Sequence, residues 1–143
     1  MFVQFGRTAL TFALFSIATP VVAQETQPPK ISIELNALDP VDGACRMSFV
    51  IENGFESDID KAVYEAVLFD TDGRVTQMTL LDFGALPAAR PRVRQFAVPG
   101  LTCASVARLL INGTETCEAS TLPEDACAQS LHLTSRTTVE VSG

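Results

Sequence analysis

Apolar side chains recur at every second residue in one short segment after another, and no other feature limits the fold as strongly. "ISIELNAL" (31–38) puts Ile31, Ile33 and Leu35 on one side and Ser32, Glu34 and Asn36 on the other. "CRMSFVIEN" (45–53) repeats the pattern with Cys45, Met47, Phe49 and Ile51 against Arg46, Ser48 and Glu52. Successive side chains of a strand point to opposite faces, so a period of two marks strands with one dry and one wet face. "AVYEAVLF" (62–69) is apolar on both sides, as a central strand should be. "RVTQMTLLDF" (74–83) follows it across "DTDG" (70–73), whose Asp72-Gly73 pair signals a tight hairpin. "RVRQFAV" (92–98), "VARLLIN" (106–112) and "LHLTSRTTVEV" (131–141) bring the number of strands to seven, and no long stretch has helical period. The pattern predicts an all-β fold, an antiparallel immunoglobulin-like β-sandwich of about seven strands. The chain has no Trp, so the tryptophan that usually packs on the central disulfide of such domains is missing.

The N-terminal region has a different character. Arg7 precedes an uncharged apolar run from Thr8 to about Ala18, Pro20 breaks it, and "VVA" offers small residues before Gln24. This is the build of a secretory signal peptide over residues 1–23, cleaved after Ala23. The run is shorter than the roughly 20 residues that cross a bilayer. No cysteine follows it for lipid attachment, and Arg7 has no neighbouring arginine to make a twin-arginine signal. "QETQPPK" (24–30) reads as a flexible tether and residues 31–143 as a single domain. No integral membrane segment is expected after signal removal. Losing Arg7, and no acidic residue with it, takes the formal charge of −7 to −8. An acidic surface repels phosphate backbones, so nucleic acid is excluded as a partner.

All four cysteines, Cys45, Cys103, Cys117 and Cys127, lie in the part that would be exported. An even count in a small exported chain reads as two disulfides, with three pairings open on spacing alone. In the expected sandwich the second and sixth strands lie in opposite sheets and run the same way. Cys45 begins the second and Cys103 just precedes the sixth, so both fall at one end. Cys117 and Cys127 share the loop between the last two strands. Topology therefore predicts Cys45–Cys103 and Cys117–Cys127. Zinc is not expected, because there is no C-x-x-C spacing and His132 is the only histidine.

Other patterns are weighed by their chemistry. "DTDG" resembles the start of a calcium loop, but the twelfth position from Asp70 is Leu81 where the loop needs Glu, so it reads as a turn. Glu56, Asp58 and Asp60 in "ESDID" read as a solvated acidic loop. "NGT" (112–114) fits the N-glycosylation pattern and is read as a turn. His132 faces outward on the alternation above, with Ser130 and Ser135 nearby but no nucleophile motif. No catalytic residue, no cofactor and no metal site is expected, and the chain is not read as an enzyme. Met47, Met78 and His132 could be soft copper ligands, although Met47 shares a side with Phe49 and Ile51 and is read as core.

The segment "ARPRVRQFAV" (89–98) is harder to place. If Val93 faces the core, Arg92 and Arg94 face out, but Phe96 and Val98 share their parity. Either a bulge near Arg94-Gln95 turns Phe96 and Val98 inward, which is the favoured reading, or an Arg–Phe patch faces solvent. Arg90, Arg92, Arg94 and Phe96 are accordingly the candidate partner-binding face, arginine and aromatic side chains being common at interface hot spots.

The succession "CRMSFVIENG", "VLFDTDGRV", "LDFGALPA", "RVRQFAVPGLTC" and "LLINGTETC" resembles a group of uncharacterised small exported proteins of Gram-negative bacteria, over residues 31 to 118. Some of these carry only the label of a twin-arginine signal, from which this chain departs at Arg7. It is also similar, more loosely, to bacterial immunoglobulin-like modules. The resemblance implies a periplasmic or secreted sandwich and no catalytic residue. The expected function is a non-catalytic interaction or accessory module of the cell envelope, with an unidentified envelope protein as partner. The alternative is a periplasmic carrier of a small ligand or of copper.

Overall fold

The alternating segments become strands in the computed structural model, which describes residues 1–2, 31–129 and 131–143. The expected signal cleavage site and the tether lie outside the described residues. β1 (Ile31–Val41), β2 (Ala44–Asn53), β3 (Ile59–Phe69), β4 (Val75–Leu86), β5 (Pro91–Pro99), β6 (Arg108–Glu118), β7 (Leu131–Ser135) and β8 (Glu140–Ser142) follow in chain order. They form two four-stranded sheets, ordered β5-β2-β1-β7 and β4-β3-β6-β8. The sheets pack face to face as a β-sandwich.

The core is the inner parity of each strand. Ile31, Ile33 and Leu35 of β1 are sealed from solvent, as are Cys45, Met47, Phe49 and Ile51 of β2. From the second sheet come Ala62, Tyr64, Ala66 and Leu68 of β3, Leu81 and Phe83 of β4, and Leu109 and Ile111 of β6. Burying a large apolar side chain contributes about 1.5–3 kcal/mol, so this double layer is the main driving force of the fold. A bulge between Leu35 and Ala37 resets β1, so Leu38 also turns toward the core opposite Met47.

Local chemistry sets the turns. Asp70 Oδ1 accepts the backbone N–H groups of Asp72 and Arg74, and Gly73 takes φ 78°, so "DTDG" is the β3–β4 hairpin turn. Gly84, at φ 66°, bends β4 at a register shift near its end. Asn53, fully buried, donates to the carbonyls of Ser57 and Leu86 at 2.9 Å each and joins two loops at one end of the sandwich.

Three expectations are corrected. The final segment is two strands rather than one, because "SRTT" crosses between sheets. Thr137 N donates to Ser135 Oγ and Val139 N to Thr137 Oγ1, so hydroxyls take N–H groups that a continuous ladder would need. The sheets are then not wholly antiparallel, since β7 runs parallel to β1 and β8 parallel to β6. "NGT" is no turn either: β6 runs through it with a register shift opposite Glu65-Ala66, and Asn112 Nδ2 hydrogen-bonds Glu65.

Both predicted disulfides are present, Cys45–Cys103 and Cys117–Cys127. Cys103 lies in a short 3-10 turn, Cys103–Ser105, where the chain passes from β5 to β6.

Candidate interaction surface

The β5 segment settles its parity without a bulge. β2 and β5 pair in unbroken register from Ala44 opposite Pro99 to Glu52 opposite Pro91. Phe96 and Val98 turn inward, and Arg92 and Arg94 turn inward with them, while Val93 lies outside at 61% exposure. Burial of Phe96 and Val98 outweighs that of the smaller Val93. The arginines tolerate an inner position because β5 is the sheet edge, where a long stem can lie along apolar surface and still bring its charge to water. The expected bulge is thus absent and Val93 is not in the core.

Phe96 belongs to a four-ring cluster at the flank where β5 faces β4. Phe83 is its hub, with edge-on contacts to Phe96 (5.4 Å between centroids), Phe49 (5.7 Å) and Tyr64 (6.0 Å). Arg94 closes this flank: its Nε donates to the Phe83 carbonyl across the gap at 2.9 Å, and its Nη1 to the Val93 carbonyl. Arg92 Nη1 donates to the Pro91 carbonyl and Arg90 is exposed. Among the described residues none of the three arginines has a carboxylate within ion-pair distance. The four members of the candidate face therefore divide. Phe96 is half-buried packing, Arg94 is a clasp, and Arg90 and Arg92 are cations at the rim. Inward charges and terminal prolines are familiar protections of a sheet edge against unwanted pairing, and β5 has Pro91, Arg92, Arg94 and Pro99.

The apolar surface left open lies instead on the outer face of the second sheet. Val75, Met78 and Leu80 of β4 are more than half exposed. Met78 sits opposite Val67 of β3, which in turn sits opposite Leu110 of β6. Leu80 lies opposite Glu65, and Val75 opposite Phe69, whose ring is covered by the Arg108 guanidinium at 4.1 Å. The alternation in "QMTLLDF" held the signal: Leu81 and Phe83 fill the core, so Met78 and Leu80 must face out.

The remaining candidates are scattered. Met47 is in the core of the first sheet, Met78 on the outer face of the second, and His132 on β7 at the far edge of the first, so the three do not converge. Asp58 accepts the N–H of Ala88 and Asp60 a hydrogen bond from Ser120. No group of three or more His, Cys, Asp or Glu side chains converges as a metal site among the described residues. A shallow groove of about 400 Å³ beside the Cys45–Cys103 bond is lined by Pro40, Val41, Leu101 and Ala104, with Thr102 its only polar side chain. Tyr64 is fully buried, donates to the Cys127 carbonyl at 2.9 Å, and has its phenol pushed above the usual range by burial. It is a structural anchor for the 119–129 loop. No helix among the described residues is long and apolar enough to cross a membrane.

No family model and no curated protein sequence matches the chain, so the family likeness drawn from the sequence has no matching model behind it. Among solved structures the chain is similar to IrmA from Escherichia coli, with a TM-score of 0.57 and 16% identity over 74% of this chain and 92% of that one. At that identity the likeness shows the fold alone.

Proposed function

We propose that this chain is a non-catalytic exported interaction module of the bacterial cell envelope, engaging a protein partner through β4 and the outer face of the β4-β3-β6 layer. The observation that carries the reading is the group Val75, Met78 and Leu80, each more than half exposed on one face around a buried Val67 and a half-buried Leu110. Contiguous apolar surface on a small soluble domain marks interaction sites. Two disulfides and the signal-like N-terminus support an oxidising compartment outside the cytoplasm, periplasmic or secreted.

The test is photo-crosslinking in intact cells from a reactive side chain placed at Val75, on the rim of the patch. Crosslinked protein should be recovered from the wild-type face and lost when Met78→Lys and Leu80→Lys are added. Retention of the crosslink in that double variant, with loss in the Arg90→Ser, Arg92→Ser variant, would move the site to the β5 flank. No crosslink to any protein would sink the reading.

A further inference from the structure

We propose that the free edge of β4 pairs antiparallel with β4 of a second copy of the chain, Met78 of one copy lying beside Leu80 of the other. The inference rests on reading β4 as the interaction element and names its occupant. Four strands border the two sheets: β5 and β7 in one, β4 and β8 in the other. β7 has five residues and β8 three, too short to template much pairing. β5 is protected by prolines and inward arginines. β4 is 12 residues long, has no proline, and has no charge from Val75 to Leu81. Arg94 takes the Phe83 carbonyl and register shifts flank the strand near Thr76 and Gly84, but the stretch from Gln77 to Leu81 between them is apolar and open, and such an edge is the place where another strand adds.

The sequence of β4 suits itself as that strand. Gln77 to Asp82 pairs with β3 without a register shift, so this stretch is regular. Directly opposite residues of an antiparallel pair share a face, which limits a two-fold pairing to residues of equal parity. Centring it on Thr79 sets Met78 opposite Leu80 of the second copy and Leu80 opposite its Met78. The four exposed apolar side chains then meet in one group across the axis. The same register sets Asp82, which pairs with Lys61 of its own chain at 3.7 Å, opposite Thr76 of the second copy and two residues from its Arg74, which is exposed and has no carboxylate partner among the described residues. Two such Asp82–Arg74 approaches offset part of the repulsion between two acidic chains. Each chain has one such edge, and the pairing uses both, so the assembly closes at two and does not grow into a fibre.

The experiment is sedimentation equilibrium of the full chain, purified as the expressing cell processes it, across a hundredfold concentration range. The mass should rise from one chain to two and no further. Met78→Lys and Leu80→Lys change exposed side chains, so both variants should keep the wild-type circular dichroism spectrum and stay monomeric over the same range. Mixing Met78→Cys chains with Leu80→Cys chains should give disulfide-linked pairs of unlike chains in excess over like pairs. A chain that is monomeric throughout, or a dimer that survives Leu80→Lys, overturns the pairing. Monomers whose Val75 crosslink to an envelope protein is lost with Met78→Lys would overturn the dimer alone and leave the module reading standing. A dimer dissolved by Leu80→Lys, with no envelope protein crosslinked, would support the dimer and sink the envelope partner.

Discussion

Arg94 is an edge residue whose charge conceals a packing role. Its Cα lies opposite that of Phe49, and its Nε bonds the Phe83 carbonyl, so removing the side chain uncovers the aromatic cluster and frees a half-buried acceptor. Arg94→Ala should therefore destabilise the fold by about 1–2 kcal/mol in urea unfolding, through lost stem packing and one hydrogen bond. Arg90→Ala, on an exposed turn, should stay within about 0.5 kcal/mol of wild type. Tyr64→Phe tests the other end of the cluster. It leaves the Cys127 carbonyl without its donor in a buried site and should cost about 1–3 kcal/mol while the fold persists. The parity of Val93 against Phe96 was visible in the sequence, yet its outcome was not. Alternation identifies two faces but does not say that an inner position on an edge strand is still wet, which is what allows arginines to sit there.

Strand segments are legible wherever one face is dry, as in β1 and β2, and hydroxyl-rich "SRTT" looks like strand in the sequence because its flanking Leu133 and Val139 keep the alternation. What alternation misses is where a strand changes sheet, since that depends on which neighbour has an open edge. The crossover is held from outside by Arg136, whose Nε donates to Glu34 Oε1 at 2.9 Å and whose backbone N–H bonds the Leu35 carbonyl. Hydrogen bonds from Asn36 and Arg136 favour the ionised form of Glu34 and hold its carboxyl below the usual carboxylate range. A lowered folded-state pKa means the carboxylate's contribution is complete above the ordinary, unfolded value and fades as pH falls through the folded one. Glu34→Gln should thus lower the melting temperature at neutral pH and leave a shallower decline on acidification than wild type. Parallel curves for the two proteins, followed by near-ultraviolet circular dichroism, would remove Glu34 from the acid response.

At the scale of the molecule the two cross-links do different work because they close different lengths of chain at opposite ends of the sandwich. Their pairing was legible because strand order fixes which cysteines share an end, and spacing alone would have left three choices. What the sequence hid is that the second bond does more than shape a loop. Ala126 and Cys127 are buried, Leu122 packs on the core, and Tyr64 reaches up to the Cys127 carbonyl, so the 119–129 segment is a lid over one end of the hydrophobic layer. Cys45–Cys103 joins residues 58 apart and Cys117–Cys127 residues 10 apart. By chain entropy alone the first stabilises by about 4 kcal/mol and the second by about 3 kcal/mol. The paired variant Cys45→Ala, Cys103→Ala should then lower the unfolding free energy by about 1 kcal/mol more than Cys117→Ala, Cys127→Ala, with a steeper urea dependence than wild type because the unfolded chain expands further. If the Cys117–Cys127 pair instead costs more, and its variant exposes core surface to a hydrophobic dye before global unfolding, then lid docking outweighs chain entropy. The 119–129 segment would in that case be the first part of the molecule to open.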